Sequence, residues 1–277
     1  MSRRRYGFDE EKVRKYEQEG RGQGFGADYR PWLTIYDVPS RGRSHRPFGI
    51  KTQRVHHLLS DGEWKAFLQF EADPQVLDIR EQVPLDRWET FRIAHDLAFR
   101  PAVTTDGTPY VLTLDFLVTR RIDDGIRLEA YSVKYQRHTL DERDWQLHRI
   151  AEEFVRRQGV ALELLDETCF NDYFTRNYDT VRACFDITAD SRYDPIVFGR
   201  VATALVNVVI DNTSGTLGSV CHDVARAQGA RADIVFLIAK HLLAHRFLVA
   251  DLAQASDLTL LRAQDLRIVK ALPNGHH

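Results

Sequence analysis

The first half of the chain contains several short segments in which apolar and polar residues alternate. Residues 110–118, YVLTLDFLV, have strong β-propensity and predict a strand. Asp124-Gly125 is a typical hairpin turn and residues 126–136 supply a return strand, so the two segments predict a β-hairpin. The other strands that we predict in this half cover residues 75–85, 88–99 and 160–167, with one or two short strands in residues 40–57.

Other segments of the same half have the periodicity of helices. Residues 8–19 are charged, with acidic residues in the first turn of the predicted helix. In the segment LLSDGEWKAFLQF, Glu63 follows Ser60 by three residues, which fits a capping box at the start of a helix. Residues 141–158 place their apolar side chains near a 3.6-residue period. The first half is therefore predicted to be a mixed α/β sheet domain.

The second half is predicted to be mostly helical. Residues 217–228 and 230–246, separated by Gly229, predict a helix–turn–helix, and RFLVADLAQASDLTLLRAQ predicts a strand–turn–strand. That order is typical of a winged helix. We therefore expect two domains, an α/β domain over residues 1–167 and a winged-helix domain over residues 168–277.

Composition excludes several classes of protein. The chain has 277 residues, 43% of them hydrophobic, and a formal net charge of −2, which excludes disordered and collagen-like chains. It has no apolar run of about 18 residues, and the basic N-terminus lacks the apolar stretch of a secretory signal, so no membrane span is predicted. The three widely spaced cysteines favour a cytoplasmic location over a disulfide framework.

The near-zero net charge conceals a basic N-terminal segment. Residues 1–57 hold 13 Lys and Arg residues against 7 Asp and Glu residues. Such a segment indicates a polyanionic partner such as DNA, although a solvated basic surface would have the same composition. The residues that we predict to contact DNA phosphates are Arg41, Arg43, Arg46, Lys51, Arg54 and His56.

The predicted hairpin also carries a candidate catalytic group. Its turn can bring Asp115 next to Ser132 and Lys134, because alternate residues of a strand share a face. A carboxylate beside a lysine suits metal-dependent cleavage of a phosphodiester, in which the carboxylate holds Mg²⁺ and the lysine stabilises negative charge. Glu63 is a candidate for a second metal carboxylate. By spacing alone, an ordinary ion pair on the sheet surface explains the same residues.

Five strings of the first half resemble the N-terminal domain of TnsA, the endonuclease subunit of heteromeric bacterial transposons. They are GRGQGFGADYRPWLT, VPSRGRSHR, KTQRVHHLLSDGE, VLDIREQVPL and LTLDFLV, and the resemblance is close over about residues 15–135. It implies a restriction-endonuclease-like fold, cleavage that depends on Mg²⁺ with Mn²⁺ as a substitute, and a bacterial cytoplasmic location.

The resemblance also implies the site residues. The helix glutamate of the family matches Glu63, the aspartate matches Asp115 and the lysine matches Lys134. The position two before the lysine, usually Gln or Glu, is Ser132, which departs from the pattern; its hydroxyl can still bind a metal-bound water, so Ser132 is the candidate metal-site residue there. The backbone carbonyl of Val133 is the ligand implied beside it.

As a member of this family, the protein would cut the 5′ strands at transposon ends. A DDE transposase, TnsB, would cut and join the 3′ ends, and an ATPase regulator, TnsC, would bind the C-terminal region. Two alternatives remain at this point: a nuclease of the same fold that acts alone, and a non-catalytic DNA-binding scaffold in which Ser132 marks a lost active site.

Overall fold

The chain divides into two compact units, Met1–Phe170 and Asn171–His277. A computed structural model describes residues 8–38, 42–104, 107–134, 141–188, 190–211 and 214–269. Within these residues, no helix combines the length and the apolar character required to cross a bilayer.

The first unit is a mixed α/β domain, as the sequence predicts. Its helices are α1 (Glu10–Gln18), α2 (Asp61–Ala72), α3 (Arg87–Asp96) and α4 (Glu142–Arg157), and its strands are β1 (Phe48–Gly49), β2 (Arg54–Val55), β3 (Val76–Pro84), β4 (Thr113–Ile122), β5 (Gly125–Val133) and β6 (Leu162–Leu165).

A four-stranded sheet in the order β3-β4-β5-β6 forms the centre of this unit. β3, β4 and β5 are antiparallel neighbours, and β6 adds to β5 in parallel. The predicted hairpin is confirmed, but its two-residue turn is Asp123-Asp124, because Ile122 pairs with Gly125. Pairing of β4 with β5 extends from this turn to the pair Phe116–Tyr131, and Asp115 is the next residue of β4 beyond that pair.

Helices cover both faces of the sheet. Phe116 and Tyr131 form a cross-strand pair on one face, and the ring of Phe70 on α2 contacts both of them. The opposite face carries Ala130, which is buried in a cluster with Val155 of α4. The sheet is therefore packed against helices on both faces.

One predicted strand of this unit is wrong. Residues 88–99 contain α3, because Asp86 accepts hydrogen bonds from the backbone N–H groups of Trp88 and Glu89 and caps a helix there. Ile93 of this helix is fully buried against Ile150 of α4. The β-branched residues Thr90 and Ile93, which favour a strand, instead lie on the buried side of a helix.

The second unit has its own hydrophobic core and is mostly helical. Its elements are α5 (Asp172–Arg182), α6 (Pro195–Ile210), α7 (Leu217–Gln228), α8 (Ala232–Ala244), β7 (Leu248–Val249) and β8 (Arg267–Ile268). Gly229 ends α7 in the left-handed conformation with φ 59°, which glycine adopts without strain. The two predicted helices around a glycine turn are present and are followed by a short antiparallel strand pair. The second strand, Arg267–Ile268, lies after the segment in which it is predicted, and that segment instead contains the short 3-10 helix Leu258–Leu260 and the start of another, Ala263–Asp265.

Candidate active site

Glu63 lies at the N-terminus of α2 and is held by the first turn of that helix. The hydroxyl of Ser60 accepts a hydrogen bond from the Glu63 backbone N–H and donates one to Glu63 Oε1, both at 3.1 Å. The backbone N–H of Leu59 donates to Glu63 Oε2 at 2.9 Å. The predicted capping role of Ser60 is confirmed, and the same contacts fix the buried Glu63 carboxylate.

Asp115 lies where the β4–β5 ladder ends. Its Oδ2 accepts a hydrogen bond from the backbone N–H of Val133 at 2.6 Å and one from the Ser132 hydroxyl at 3.3 Å. A carboxylate thus takes the place of a backbone acceptor at the end of the hairpin. The structure brings Asp115 and Ser132 together, as the sequence predicts from strand alternation.

Lys134 is the residue that follows β5. Its backbone N–H donates to the carbonyl of Leu165 at 2.9 Å, which continues the parallel pairing of β5 with β6 by one residue. Lys134 is half-buried. This pairing fixes the backbone position of Lys134, which directly follows Val133 and lies two residues after Ser132 in the chain.

The two carboxylates interact electrostatically. Burial, followed by the negative charge of Asp115, raises the pKa of Glu63 to about 8, and the bonds from Leu59, Ser60 and Gln82 reduce that rise. Burial and the nearby charge of Asp115 both disfavour the ionised form of Glu63, and a divalent cation would offset both effects.

The donor set fits Mg²⁺ or Mn²⁺, which prefer oxygen ligands and are commonly bound by one or two carboxylates. No group of three or more His, Cys, Asp and Glu side chains suited to a metal occurs in the part of the chain that the structure describes. Glu63 and Asp115 would therefore need backbone, substrate or water oxygens to complete the coordination of a cation.

Sequence analysis missed one residue of this site, Gln82 of β3. Its side chain is almost fully buried, and its Nε2 donates to Glu63 Oε2 at 3.3 Å while its Oε1 accepts from the Thr113 hydroxyl at 3.1 Å. Gln82 also has φ 50°, a backbone conformation that side-chain-bearing residues rarely adopt. Gln82 does not stand out in the sequence, because the same strand also contains the charged residues Asp78, Arg80 and Glu81.

Two of the residues predicted to contact DNA are buried, which corrects that prediction. The Arg54 guanidinium donates to both carboxylate oxygens of Glu81, at 2.8 and 2.6 Å, and its side chain is 7% exposed. His56 is fully buried between Glu81 and Thr52, with 2.7 Å from each ring nitrogen to its partner oxygen. Arg54 and His56 hold β2 against β3 and cannot reach a phosphate.

The other basic residues lie in different surroundings. Arg43 is exposed, and its Nε lies 3.1 Å from Asp61 Oδ1, in the first turn of α2. Arg46 is also exposed and donates to the Tyr36 hydroxyl at 2.7 Å, whereas the half-buried Lys51 donates to a backbone carbonyl. Arg41 lies outside the described residues.

Comparison with known proteins agrees with this geometry. Residues 73–167 match the family model described as the TnsA-like endonuclease N-terminal domain, a segment that contains Asp115 and Lys134 but not Glu63. The chain is also 46% identical over 179 residues to the transposon Tn7 transposition protein TnsA of Escherichia coli. The aligned segment covers 65% of this chain and 65% of that protein. Over these segments the chain is thus similar to TnsA-like endonucleases.

Proposed function

We propose that this protein is a Mg²⁺-dependent DNA endonuclease that cuts the 5′ strands at transposon ends during cut-and-paste transposition. The observation that carries the proposal is the meeting of Glu63 and Asp115 in a domain that matches the TnsA-like endonuclease family. The name of the E. coli relative adds transposition as the process. In metal-dependent cleavage, such a pair of acidic groups can hold the cation next to the phosphate.

Glu63 and Asp115 would hold the metal, together with the backbone carbonyl of Val133. When bound, Mg²⁺ polarises the phosphate and lowers the pKa of a coordinated water molecule. Ser132 acts through Asp115, because its hydroxyl donates to the Asp115 oxygen that also accepts from Val133. Mn²⁺ would be held by the same oxygen ligands.

Lys134 would act directly on the substrate. The lysine ammonium is a compact positive charge with three donors, suited to the extra negative charge that the phosphate gains in the transition state. Hydrolysis then joins a water oxygen to phosphorus and breaks one P–O bond to a sugar. One proton of that water passes to solvent, the departing sugar oxygen takes up a proton from solvent to become a hydroxyl, and no covalent bond to the protein forms.

DNA would lie over the N-terminus of α2. Arg43 is paired with Asp61, two residues before Glu63, so its guanidinium lies beside the turn that holds the catalytic glutamate. Arg43 and Arg46, both exposed, are proposed to bind phosphates and fix the strand there. Lys51 and Arg41 remain candidates for the same role.

Partners complete the proposed reaction. A DDE transposase, TnsB, would cut the other strand at each end, and an ATPase regulator, TnsC, would bind the second unit. The order of α7, α8, β7 and β8 supports a winged helix as the module that binds this partner.

The experiment combines the full chain with its candidate transposase, transposon-end DNA and Mg²⁺, and maps nicks on the 5′ strand. Asp115→Ala and Lys134→Ala are expected to abolish the nicks. Asp124→Ala, in the exposed turn of the same hairpin, and Lys15→Ala, on the exposed side of α1, are matched controls that should cut normally.

Each result has a definite meaning. Nicks that require the transposase and vanish in both site variants support the proposal. Nicks that persist in Asp115→Ala and Lys134→Ala would refute the site assignment, and nicks made without any partner would favour a nuclease that acts alone. A stable protein–DNA complex with no nicks would favour a non-catalytic scaffold.

A further inference from the structure

Gln82 lies in a row of polar residues that crosses the sheet beside the proposed metal site. The pairs Glu81–Phe116 and Val83–Leu114 flank it, so Gln82 on β3 lies opposite Asp115 on β4. The hydroxyl of Ser132 on β5 lies on the other side of Asp115, within hydrogen-bond distance. Each of the three neighbouring strands therefore contributes one polar residue to this row: Gln82 from β3, Asp115 from β4 and Ser132 from β5.

The backbone of Gln82 is turned out of the regular strand. With φ 50° it lies in the left-handed region, and its carbonyl accepts a hydrogen bond from the backbone N–H of Trp32 at 3.1 Å. A strained residue in the middle of a strand persists only where its surroundings fix it, and such residues concentrate at functional sites. The requirement for this strain indicates that the side chain has a role beyond packing.

The orientation of the Gln82 amide follows from its two partners. The Thr113 hydroxyl donates to Gln82 Oε1, which places the Nε2 donor toward Glu63 Oε2. The opposite orientation would direct the amide oxygen at a carboxylate oxygen, two acceptors with no proton between them. The Glu63 carboxylate therefore selects this orientation, and the Thr113 hydroxyl stabilises it by donating to Gln82 Oε1.

The two carboxylate oxygens of Glu63 differ in how many hydrogen bonds they accept. Oε2 accepts from both Leu59 N–H and Gln82 Nε2, which uses its two lone pairs. Oε1 accepts only the Ser60 hydroxyl from among the described residues, so one of its lone pairs is open. Asp115 has the same asymmetry, since both of its hydrogen bonds from described residues reach Oδ2.

We infer that Gln82 is a positioning residue: together with Leu59 it occupies Glu63 Oε2 and so presents Oε1 to the divalent cation. The inference rests on the proposed function and adds a residue that neither the helix nor the hairpin supplies. Groups that orient metal ligands typically change metal affinity 10- to 100-fold when they are removed. Gln82 does not touch the cation in this scheme.

The test measures Mn²⁺ binding to the full chain by isothermal titration calorimetry. Gln82→Gly removes the amide and keeps the positive φ, which glycine accepts, so the domain should stay folded. Gln53→Gly is the matched control, because Gln53 also has a positive φ, 54°, but is exposed, and its side-chain amide donates to the nearby backbone carbonyl of Ile50. A urea unfolding curve of each variant checks the fold.

Gln82→Gly is expected to weaken Mn²⁺ binding at least tenfold, with Gln53→Gly within about twofold of the wild type. Thr113→Val, which leaves Gln82 in place but frees its amide to rotate, should give a smaller loss. In the nicking reaction, Gln82→Gly should raise the half-saturating Mn²⁺ concentration, and saturating Mn²⁺ should restore most of the rate. If Gln82 only supported the fold, saturating Mn²⁺ would not restore the rate of Gln82→Gly.

The failures of the two proposals are distinguishable. If the wild type binds Mn²⁺, Glu63→Ala does not, and Gln82→Gly binds it as tightly as the wild type, the role of Gln82 is overturned and the metal site stands. Wild-type protein that binds no Mn²⁺ would overturn the metal site, and with it the positioning role.

Discussion

Replacing Glu81 by Gln should destabilise the first unit strongly, although the two side chains have the same shape. Glu81 is fully buried and accepts four hydrogen bonds, two from Arg54, one from His56 and one from the backbone N–H of His57. Its two oxygens have four lone pairs, so the carboxylate is fully used. Glutamine has one oxygen with two lone pairs and therefore leaves two of the four donors unpaired.

The magnitude follows from two independent considerations. An unsatisfied buried donor costs about 1–3 kcal/mol, so two of them cost roughly 2–6 kcal/mol. Removing one partner of a buried ion pair costs about 3–5 kcal/mol, because the Arg54 charge stays buried without its counter-charge. Both lead to a loss of about 4 kcal/mol in the free energy of unfolding, a large part of the stability of a typical domain.

Tryptophan fluorescence during urea unfolding is the assay. All four tryptophans of the chain, Trp32, Trp64, Trp88 and Trp145, belong to the unit that contains Glu81, so their emission follows that unit alone. The expected result is a much lower urea midpoint with an unchanged slope.

Glu153→Gln is the matched control. Glu153 also accepts hydrogen bonds from two arginines, Arg156 and Arg157, but these lie on the exposed side of α4. This variant should shift the midpoint only slightly. A loss in Glu81→Gln no larger than in Glu153→Gln would refute the reasoning.

The pH dependence gives a second check on Glu81. Burial alone would raise the pKa of this group, but His56 and Arg54 outweigh it and hold the pKa below its ordinary value. A depressed pKa stabilises the fold above the ordinary glutamate pKa, and this contribution is lost as the pH falls toward the folded-state pKa. The difference between wild type and Glu81→Gln should therefore be constant near neutrality and shrink in acid.

Three further predictions concern other parts of the chain. Asp86→Ala removes the cap of α3 and should cost about 1 kcal/mol, measured by the same urea assay; an unchanged midpoint would contradict the capping role. Arg43→Ala and Arg46→Ala should each reduce by about 1 the slope of log K against log salt for DNA binding, and an unchanged slope would exclude phosphate contact. Burial lowers the pKa of His241 below 6.5, so the neutral form is favoured in the folded state and the second unit should lose stability as the pH falls below that value. Thermal unfolding followed by circular dichroism should show this loss, and His241→Gln should reduce it.

The sequence predicts those parts of the site that depend on local patterns. Strand alternation and a turn signal place Asp115 beside Ser132, and a capping box places Glu63 at the start of α2. Each of these depends on residues within one hairpin or one helical turn. The family resemblance adds the roles of Glu63 and Lys134, which spacing alone does not determine.

Contacts between distant segments explain what the sequence does not predict. Arg54 and His56 lie in a basic segment and look like surface residues, but in the interior both bond Glu81, which is 27 and 25 residues away in the chain. Gln82 contacts Glu63 only because β3 packs beside the start of α2 and its backbone is left-handed there. Neither a buried counter-charge nor a positive φ leaves a local pattern in the sequence.

The hydrogen bonds of the two site carboxylates have a spectroscopic consequence. The amide of Leu59 donates to Glu63, and the amide of Val133 donates to Asp115. Each amide proton is therefore a separate nuclear magnetic resonance reporter of one carboxylate. A cation that withdraws electron density from both carboxylates would weaken both bonds and move both amide resonances upfield, whereas a ligand bound to one would move a single peak. The backbone itself thus supplies two labelled positions for observing the site, with no substitution and no added probe.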